Sequence, residues 1–301
     1  MLLERRGFLF MKNTHFPPSH LNCGDKTLNL TTPAVMGVIN LTPDSFSDGG
    51  QLHTDHQLNT SKVLFKVEAM IKDGADIIDL GGESTRPGAE PVSVQQELER
   101  VIPVLQALAA NFDTIFSVDT SSPQVILEAQ RAGAHLINDV RALRRQGALD
   151  AAVETGLPVC LMHMQNEPKA MQRDPKYENV VSEVIEFLDC RKQQCIAAGI
   201  GAEQLLLDPG FGFGKTLQHN LALFDGLDQL AKQQHPIVVG VSRKSMIGQL
   251  LDVDVDERLI GSVTMAVLAA QKIQAAEGAV ILRVHDVRET VQALRVLGSV
   301  N

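Results

Sequence analysis

The stretch Gly278-Ala279-Val280-Ile281-Leu282-Arg283 repeats a pattern that also occurs at Gly74-Ala75-Asp76-Ile77-Ile78-Asp79 and Gly133-Ala134-His135-Leu136-Ile137-Asn138. Each copy has a glycine where a helix must stop in the left-handed conformation, then a short turn, an apolar strand and a polar residue. Helices and strands that alternate in this way are typical of parallel α/β folds. The repeat therefore predicts strands that each end on a polar side chain.

Apolar segments of strand length recur from residue 34 to the C-terminus, at 34–39, 77–80, 114–118, 135–137, 158–162, 205–207, 237–241 and 280–284. Amphipathic segments with helix-start signals lie between them, including Ser93 followed by Gln96, a capping box, and Ser122 followed by Pro123. Eight such units predict an α/β fold, a single (β/α)8 TIM-type barrel, rather than an open sheet. A doubly wound sheet would show the same alternation, so barrel closure is an inference here.

Residues 1–30 do not share this rhythm. They contain Pro17-Pro18 and little periodicity, and we interpret them as an extended or partly disordered lead-in. Part of it is expected to form a hairpin across the barrel floor, with residues 27–30 as one strand. Residues 31–301 are predicted to form one barrel domain.

Composition excludes several classes of protein. The formal net charge is −9 without a long basic run, which argues against a nucleic-acid partner. No apolar window reaches the length of a membrane span. The four cysteines lack metal-ligand spacing, and the first residues do not resemble a secretory signal. We therefore expect a cytoplasmic protein.

Every predicted strand ends on a polar residue, and the set consists of Asn40, Asp79 with Glu83, Asp119, Asn138 with Asp139, His163, Asp208, Arg243 with Lys244, and Arg283 with His285. One such residue would ordinarily be a satisfied polar group or half of a surface salt bridge. Eight together predict a functional mouth, because the carboxyl ends of the strands build the active site of a barrel. The acceptors suit a flat heterocycle with N–H donors, and the cations of the last two strands suit a phosphate.

Three loops at this end combine glycine with functional groups. Residues 40–50 and 81–88 mix glycine and proline with hydroxyls and charges, as expected of lids over a site. Residues 208–215 place Phe211 and Phe213 between glycines, which suggests backbone close to a ligand and an aromatic wall beside it.

These motifs resemble the dihydropteroate synthases, a family of pterin-binding enzymes, over residues 34 to 297. The resemblance rests on the two lid loops and on ordered motifs that include Ser117-Val118-Asp119-Thr120, Asp208-Pro209-Gly210-Phe211-Gly212-Phe213-Gly214-Lys215 and Ser242-Arg243-Lys244-Ser245. It implies a transferase that joins 6-hydroxymethyl-7,8-dihydropterin diphosphate to p-aminobenzoate with the aid of Mg²⁺. Diphosphate would leave first, in a dissociative substitution at the pterin methylene.

The resemblance also implies residue roles for the pterin. Asp119, Asn138, Asp208 and Lys244 would bind it, and Arg283 could stack on its face. Asp119, Asp208, Lys244 and Arg283 would be the catalytic residues.

Asn40 would hold the metal, and Asn40, Thr85, Arg86, Arg283 and His285 would hold the diphosphate. Pro87, Phe213 and Ser245 would shape the p-aminobenzoate site. A homodimer through C-terminal helices is expected as well.

Two other readings compete with this one. A methyltetrahydrofolate:corrinoid methyltransferase would share Asp119, Asn138 and Asp208 but would need no diphosphate cluster. A non-catalytic homologue would have no physical reason to keep polar residues at every strand end.

Overall fold

The computed structural model describes residues 19–42, 53–54, 57–83, 92–165, 171 and 174–300. Its centre is a closed barrel of eight parallel strands in chain order. The strands are β1 (Ala34–Asn40), β2 (Ile77–Gly81), β3 (Ile115–Asp119), β4 (Leu136–Asp139), β5 (Val159–Met162), β6 (Leu205–Asp208), β7 (Ile237–Val239) and β8 (Val280–Val284). Strand β8 closes the barrel on β1, with Ile281 opposite Ala34. The predicted (β/α)8 barrel is confirmed, and the doubly wound sheet is excluded.

Helices follow the strands and cover the outside of the barrel. They are α1 (Thr60–Asp73), α2 (Val94–Asn111), α3 (Pro123–Arg131), α4 (Ala148–Thr155), α5 (Val180–Ala198), α6 (Leu217–Asp225), α7 (Leu227–Ala231), α8 (Ser245–Leu251), α9 (Leu259–Ala275) and α10 (Val287–Val300). Each long helix buries one stripe, as Val101, Leu105 and Leu108 do on α2. None of the helices in the described part of the chain is both long and apolar enough to cross a membrane.

The glycines of the repeat are required for two different reasons, a left-handed backbone conformation and close packing. Gly74 and Gly133 have φ 103, as the pattern predicts for residues in the left-handed conformation. The prediction is wrong for Gly278, because Glu277 takes the left-handed position with φ 59. A Cβ on Gly278 would lie 2.7 Å from the Cβ of Ala231, so this glycine lets the turn pack closely against α7.

A short antiparallel hairpin, formed by His20–Cys23 and Lys26–Asn29, closes the amino end of the barrel. The strand expected at residues 27–30 is the second of these. Leu21 and Leu28 are buried in a cluster with the inward-facing Met36 and Leu206. Burying each leucine is worth about 1.5–3 kcal/mol, and this burial stabilises the hairpin against the amino end of the barrel. The opposite, carboxyl end of the barrel is not covered by this hairpin and is available for a ligand site.

Candidate active site

The predicted site residues gather at the carboxyl end of the barrel. A cavity of ≈ 800 Å³ opens there, and the predicted residues that line it are Asn40, Phe213, Lys244, Ser245, Arg283 and His285. Asp119, Asn138 and Asp208 lie at the ends of β3, β4 and β6; Asn138 and Asp208 are buried, and Asp119 is largely buried. Thr85, Arg86 and Pro87 lie outside the described residues.

Arg283 joins the cavity to two carboxylates within the barrel. Its Nε donates to Asp79 Oδ2 over 2.7 Å, and Nη2 donates to Asp119 Oδ2 over 3.2 Å. Asp79 is fully buried and also accepts from Ser117 Oγ at 2.6 Å and from Asn138 Nδ2 at 3.2 Å. Asp79 therefore orients both Arg283 and Asn138. The sequence placed Asp79 at the mouth but did not reveal this role.

The electrostatics of Asp119 favour a ligand that brings positive charge or N–H donors. Burial raises the pKa of the Asp119 carboxyl, the guanidinium of Arg283 opposes this, and the nearby charge of Asp79 adds to the rise. Charge on Asp119 is thus costly in the free site. A donor edge or a delocalised cation beside it would recover part of that cost.

Asp208 and Lys244 form the opposite side of the site. Asp208 Oδ1 accepts from the backbone N–H of Gly210 at 2.7 Å, and burial raises its pKa while Lys244 opposes the rise. Burial lowers the pKa of Lys244 to about 8, and Asp208 opposes that shift. Lys244 Nζ donates to the carbonyl of Phe211 and lies 4.7 Å from the ring centre of Phe213. This lysine is thus held by a backbone carbonyl and an aromatic ring, close enough to Asp208 for its pKa to respond to that charge.

The glycine-rich loop after β6 passes very close to β5. Gly210 has φ 68, and a Cβ there would lie 1.8 Å from the carbonyl oxygen of His163. Only glycine can occupy this position. The close approach fixes the course of the turn that carries Phe211 and Phe213, and both residues line the cavity.

The basic residues after β7 and β8 are held by fixed partners. Arg243 has φ 56 and binds Asp286 with two side-chain bonds, of 3.0 and 2.6 Å. His285 Nδ1 lies 3.1 Å from Ser242 Oγ. Arg243 and His285 both line the cavity, so the anionic end of a ligand would meet positioned groups.

Three of the polar residues at strand ends serve the framework. Asp139 is fully buried and accepts from the backbone N–H groups of Arg141 and Leu143, both at 2.8 Å. Glu83 accepts two 3.0 Å bonds from the guanidinium of Arg141. His163 bonds with Lys215 at 2.9 Å. These three side chains support neighbouring loops, and strands β2 and β4 contribute Asp79 and Asn138 to the site instead.

The arrangement can bind a ligand with two chemically different ends. Buried acceptors at Asp119, Asn138 and Asp208 suit N–H donors, and Arg283 and His285 suit an anion. A family model described as "Pterin binding enzyme" matches residues 36–285. The chain is 55% identical over 271 residues to the dihydropteroate synthase of Escherichia coli (strain K12), which covers 90% of this chain and 93% of that protein. This chain belongs to the dihydropteroate synthase family.

Further members of the family support the assignment. The Haemophilus influenzae dihydropteroate synthase is 50% identical, over 92% of this chain and 97% of that protein. The Yersinia pestis enzyme, solved with a sulfonamide drug complex, superimposes with a TM-score of 0.88 at 51% identity, over 93% of this chain and 98% of that chain. The Xanthomonas albilineans enzyme in complex with 7,8-dihydropteroate gives 0.81 at 40% identity, over 94% and 98%. The chain is therefore a transferase of this family, and a corrinoid methyltransferase is set aside.

Proposed function

We propose that the chain condenses 6-hydroxymethyl-7,8-dihydropterin diphosphate with p-aminobenzoate and releases diphosphate and 7,8-dihydropteroate. The observation that carries this proposal is Arg283, which pairs with buried Asp79 and with Asp119 while it lines the cavity with His285. A single guanidinium thus links acceptors for the heterocycle to the cationic region for the leaving group.

The pterin would lie against the buried acceptors. Asp119 and Asp208 would accept from its N–H donors, and Asn138, fixed by its bond to Asp79, would supply a carboxamide. Lys244 would donate from the side of the cavity. Arg283 would lie over the ring face, which its planar guanidinium allows. Asp119, Asp208, Lys244 and Arg283 would be the catalytic residues.

The diphosphate would be bound by Arg283 and His285, with Asn40 beside them on the cavity wall. Within the described ranges, no group of three His, Cys, Asp or Glu side chains could hold a metal ion alone. Asn40 offers one oxygen, which fits Mg²⁺, since this ion commonly takes one or two protein ligands and completes its shell with phosphate oxygens and water. When bound, Mg²⁺ would neutralise charge on the leaving group. We assign Thr85 and Arg86 to this end by family resemblance alone.

p-Aminobenzoate would enter beside Phe213. The ring of Phe213 and the stem of Lys244 form one wall of the cavity, and Ser245 offers a hydroxyl for the carboxylate. Pro87 is assigned to the other wall by resemblance. The acid would then face the pterin methylene with its amino group.

The reaction would proceed by dissociation. The bond from the methylene carbon to the diphosphate oxygen breaks, and its electron pair leaves with the diphosphate. The carboxylates of Asp119 and Asp208 stabilise the pterin cation, and Arg283 and His285 stabilise the leaving anion. The lone pair of the aromatic amine then forms the C–N bond, and the nitrogen releases a proton to water. A neutral aniline needs no strong base for this.

Release of diphosphate by the purified full chain tests the proposal. We expect rapid release from the pterin diphosphate with Mg²⁺ and p-aminobenzoate, formation of 7,8-dihydropteroate in equal amount, and little turnover without the acid. A chain that releases no diphosphate under these conditions would be a non-catalytic homologue, and the proposal would fail.

We also propose a homodimer through α9 and a cytoplasmic location. Met265, Ala266 and Ala269 of α9 face the barrel, while Ile260 and Leu268 are 78% and 44% exposed on its outer side. Leu268→Glu should convert the dimer to a monomer in sedimentation, whereas Phe65→Glu, at an apolar residue of α1 that is 75% exposed, should not. A dimer that survives Leu268→Glu would contradict this interface.

The proposed cytoplasmic location agrees with the cysteines. All four are free, as expected in a reducing compartment, and cell fractionation would test the location.

A further inference from the structure

Lys215 is a buried cation to which the proposed reaction gives no role. Only 3% of the residue is exposed, yet the side chain carries an ammonium group. Its Nζ lies 2.9 Å from His163 Nδ1, 2.9 Å from the carbonyl oxygen of Gly210 and 3.1 Å from that of Phe213. An ammonium has three N–H donors, so these three acceptors satisfy it fully. Burial lowers the pKa of Lys215 and the charge of Asp208 opposes this, but the three acceptors are arranged for the charged form.

His163 is suited to accept from Lys215. Burial lowers the pKa of His163 to about 2, and the charge of Lys215 adds to the shift, so the ring is neutral. A neutral ring with its proton on Nε2 presents Nδ1 as an acceptor. The ring also packs edge-on against Phe187, with centres 4.9 Å apart, which fixes its orientation. The backbone N–H of His163 donates to the carbonyl of Asp208 at 2.9 Å, which ties β5 to β6 at the same point.

These contacts fix both ends of one turn. Gly210 donates its backbone N–H to Asp208, and its carbonyl accepts from Lys215. Its Cα also packs closely against the backbone of His163. Phe213 donates its N–H to the carbonyl of Gly210 at 3.1 Å, and its own carbonyl accepts from Lys215. Asp208 is the last residue of β6, so the strand itself positions it. Phe213 lies five residues beyond β6, and its position depends on this turn. Without Lys215, the carbonyls of Gly210 and Phe213 would both lose a charged donor.

We propose that Lys215, supported by His163, is a positioning residue that locks the turn from Gly210 to Phe213 and so sets the aromatic wall for p-aminobenzoate. Lys215 does not touch the substrate and acts through Phe213. The inference rests on the proposed function, since it takes Phe213 as a contact of the acid.

Kinetics of Lys215→Met in the full chain test this role. The variant keeps an apolar stem of similar length and removes the three donors. We expect KM for p-aminobenzoate to rise about tenfold, or about 1.4 kcal/mol, while KM for the pterin diphosphate changes less than about threefold. Lys192→Met is the matched control, because Lys192 is also buried but pairs with Asp189 on α5, and both KM values should stay unchanged. Equal rises in both KM values, or no rise at all, would overturn the proposal.

A second set of variants keeps the test decisive if Lys215→Met does not fold. His163→Leu removes one acceptor and should raise the same KM about threefold, whereas His163→Asn, which returns an acceptor oxygen, should restore it. In a double-mutant cycle, Phe213→Ala and Lys215→Met should raise KM for the acid less than additively, because both act through one wall. Additive effects would contradict action through Phe213. If Phe213→Ala alone leaves KM unchanged, the proposed role of Phe213 fails; if it raises KM but Lys215→Met and His163→Leu do not, only the present inference fails.

Discussion

Asp208→Asn is expected to lower kcat/KM for the pterin diphosphate by about 30- to 900-fold, which corresponds to about 2–4 kcal/mol of transition-state stabilisation. The shape of the side chain is kept and its charge is removed. Asp208 is 6% exposed and accepts from the N–H of Gly210 over 2.7 Å, so its geometry does not depend on the ligand. The asparagine amide would have to point its NH₂ group either at the N–H of Gly210 or at the N–H donors of the pterin. It would also no longer stabilise the cation that forms when diphosphate leaves.

Asp76→Asn is the matched control for this prediction. Asp76 also accepts a backbone N–H, that of Val35 at 2.8 Å, but it lies at the amino end of β2, away from the cavity. We expect near-parental kcat/KM for Asp76→Asn. Calorimetry with an unreactive pterin should show weaker binding for Asp208→Asn only. Near-parental kinetics in a folded Asp208→Asn protein would remove Asp208 from the site.

The barrel was predictable because its signals are local. Each strand carries a short apolar run, and several helices begin at a side-chain cap, as α2 does at Ser93, which exchanges side-chain and backbone bonds with Gln96. At Gly278 the local signal was misleading. Its neighbour Glu277 takes the left-handed conformation, and the glycine is required by close packing against Ala231, which is distant in sequence.

The location of the site was also predictable, but its internal pairing was not. A residue at a strand end must lie at the mouth, and this rule placed Asp119, Asn138, Asp208 and Arg283 correctly at one end of the barrel. Which side chains meet depends on the packing of distant strands: Asp79 and Arg283 are 204 residues apart. No pattern within either segment encodes that bond.

Alternation along a strand could have separated some binding residues from framework residues. Asn138 and Asp139 are consecutive, so their side chains point to opposite faces. Asn138 points to Asp79 inside the barrel, and Asp139 points outward to the loop that follows β4. Residues beyond the last paired position, such as Glu83 and His163, have no such parity, because the chain turns there. Their partners Arg141 and Lys215 are visible only in three dimensions.

Arg283→Met is expected to abolish measurable activity and to lower the free energy of unfolding by about 3–5 kcal/mol, the range for breaking a buried ion pair from one side. Asp79 has no solvent exposure and Asp119 is largely buried, so the variant would leave two carboxylates without their cation. Arg243→Met is the stability control. Its partner Asp286 is a single carboxylate that keeps 11% side-chain exposure, whereas Asp79 keeps none, and we expect a smaller loss in urea unfolding.

The stability loss and the activity loss of Arg283→Met should separate. Adding Asp79→Asn removes one of the unpaired charges, so the double variant should regain part of the unfolding free energy and none of the activity, because Arg283 is also needed at the cavity.

The deficit in unfolding free energy of Arg283→Met should depend on pH in a defined direction. The pKa of Asp119 is already raised in the fold, and loss of Arg283 removes the group that opposes the rise. A carboxyl whose folded pKa lies above its unfolded value favours folding at low pH, and that contribution is lost as pH rises through the folded pKa. The deficit should therefore shrink in acid and grow toward alkaline pH. A deficit that does not change with pH and is not relieved by Asp79→Asn would mean that Arg283 stabilises the barrel by packing, not by compensating these two charges.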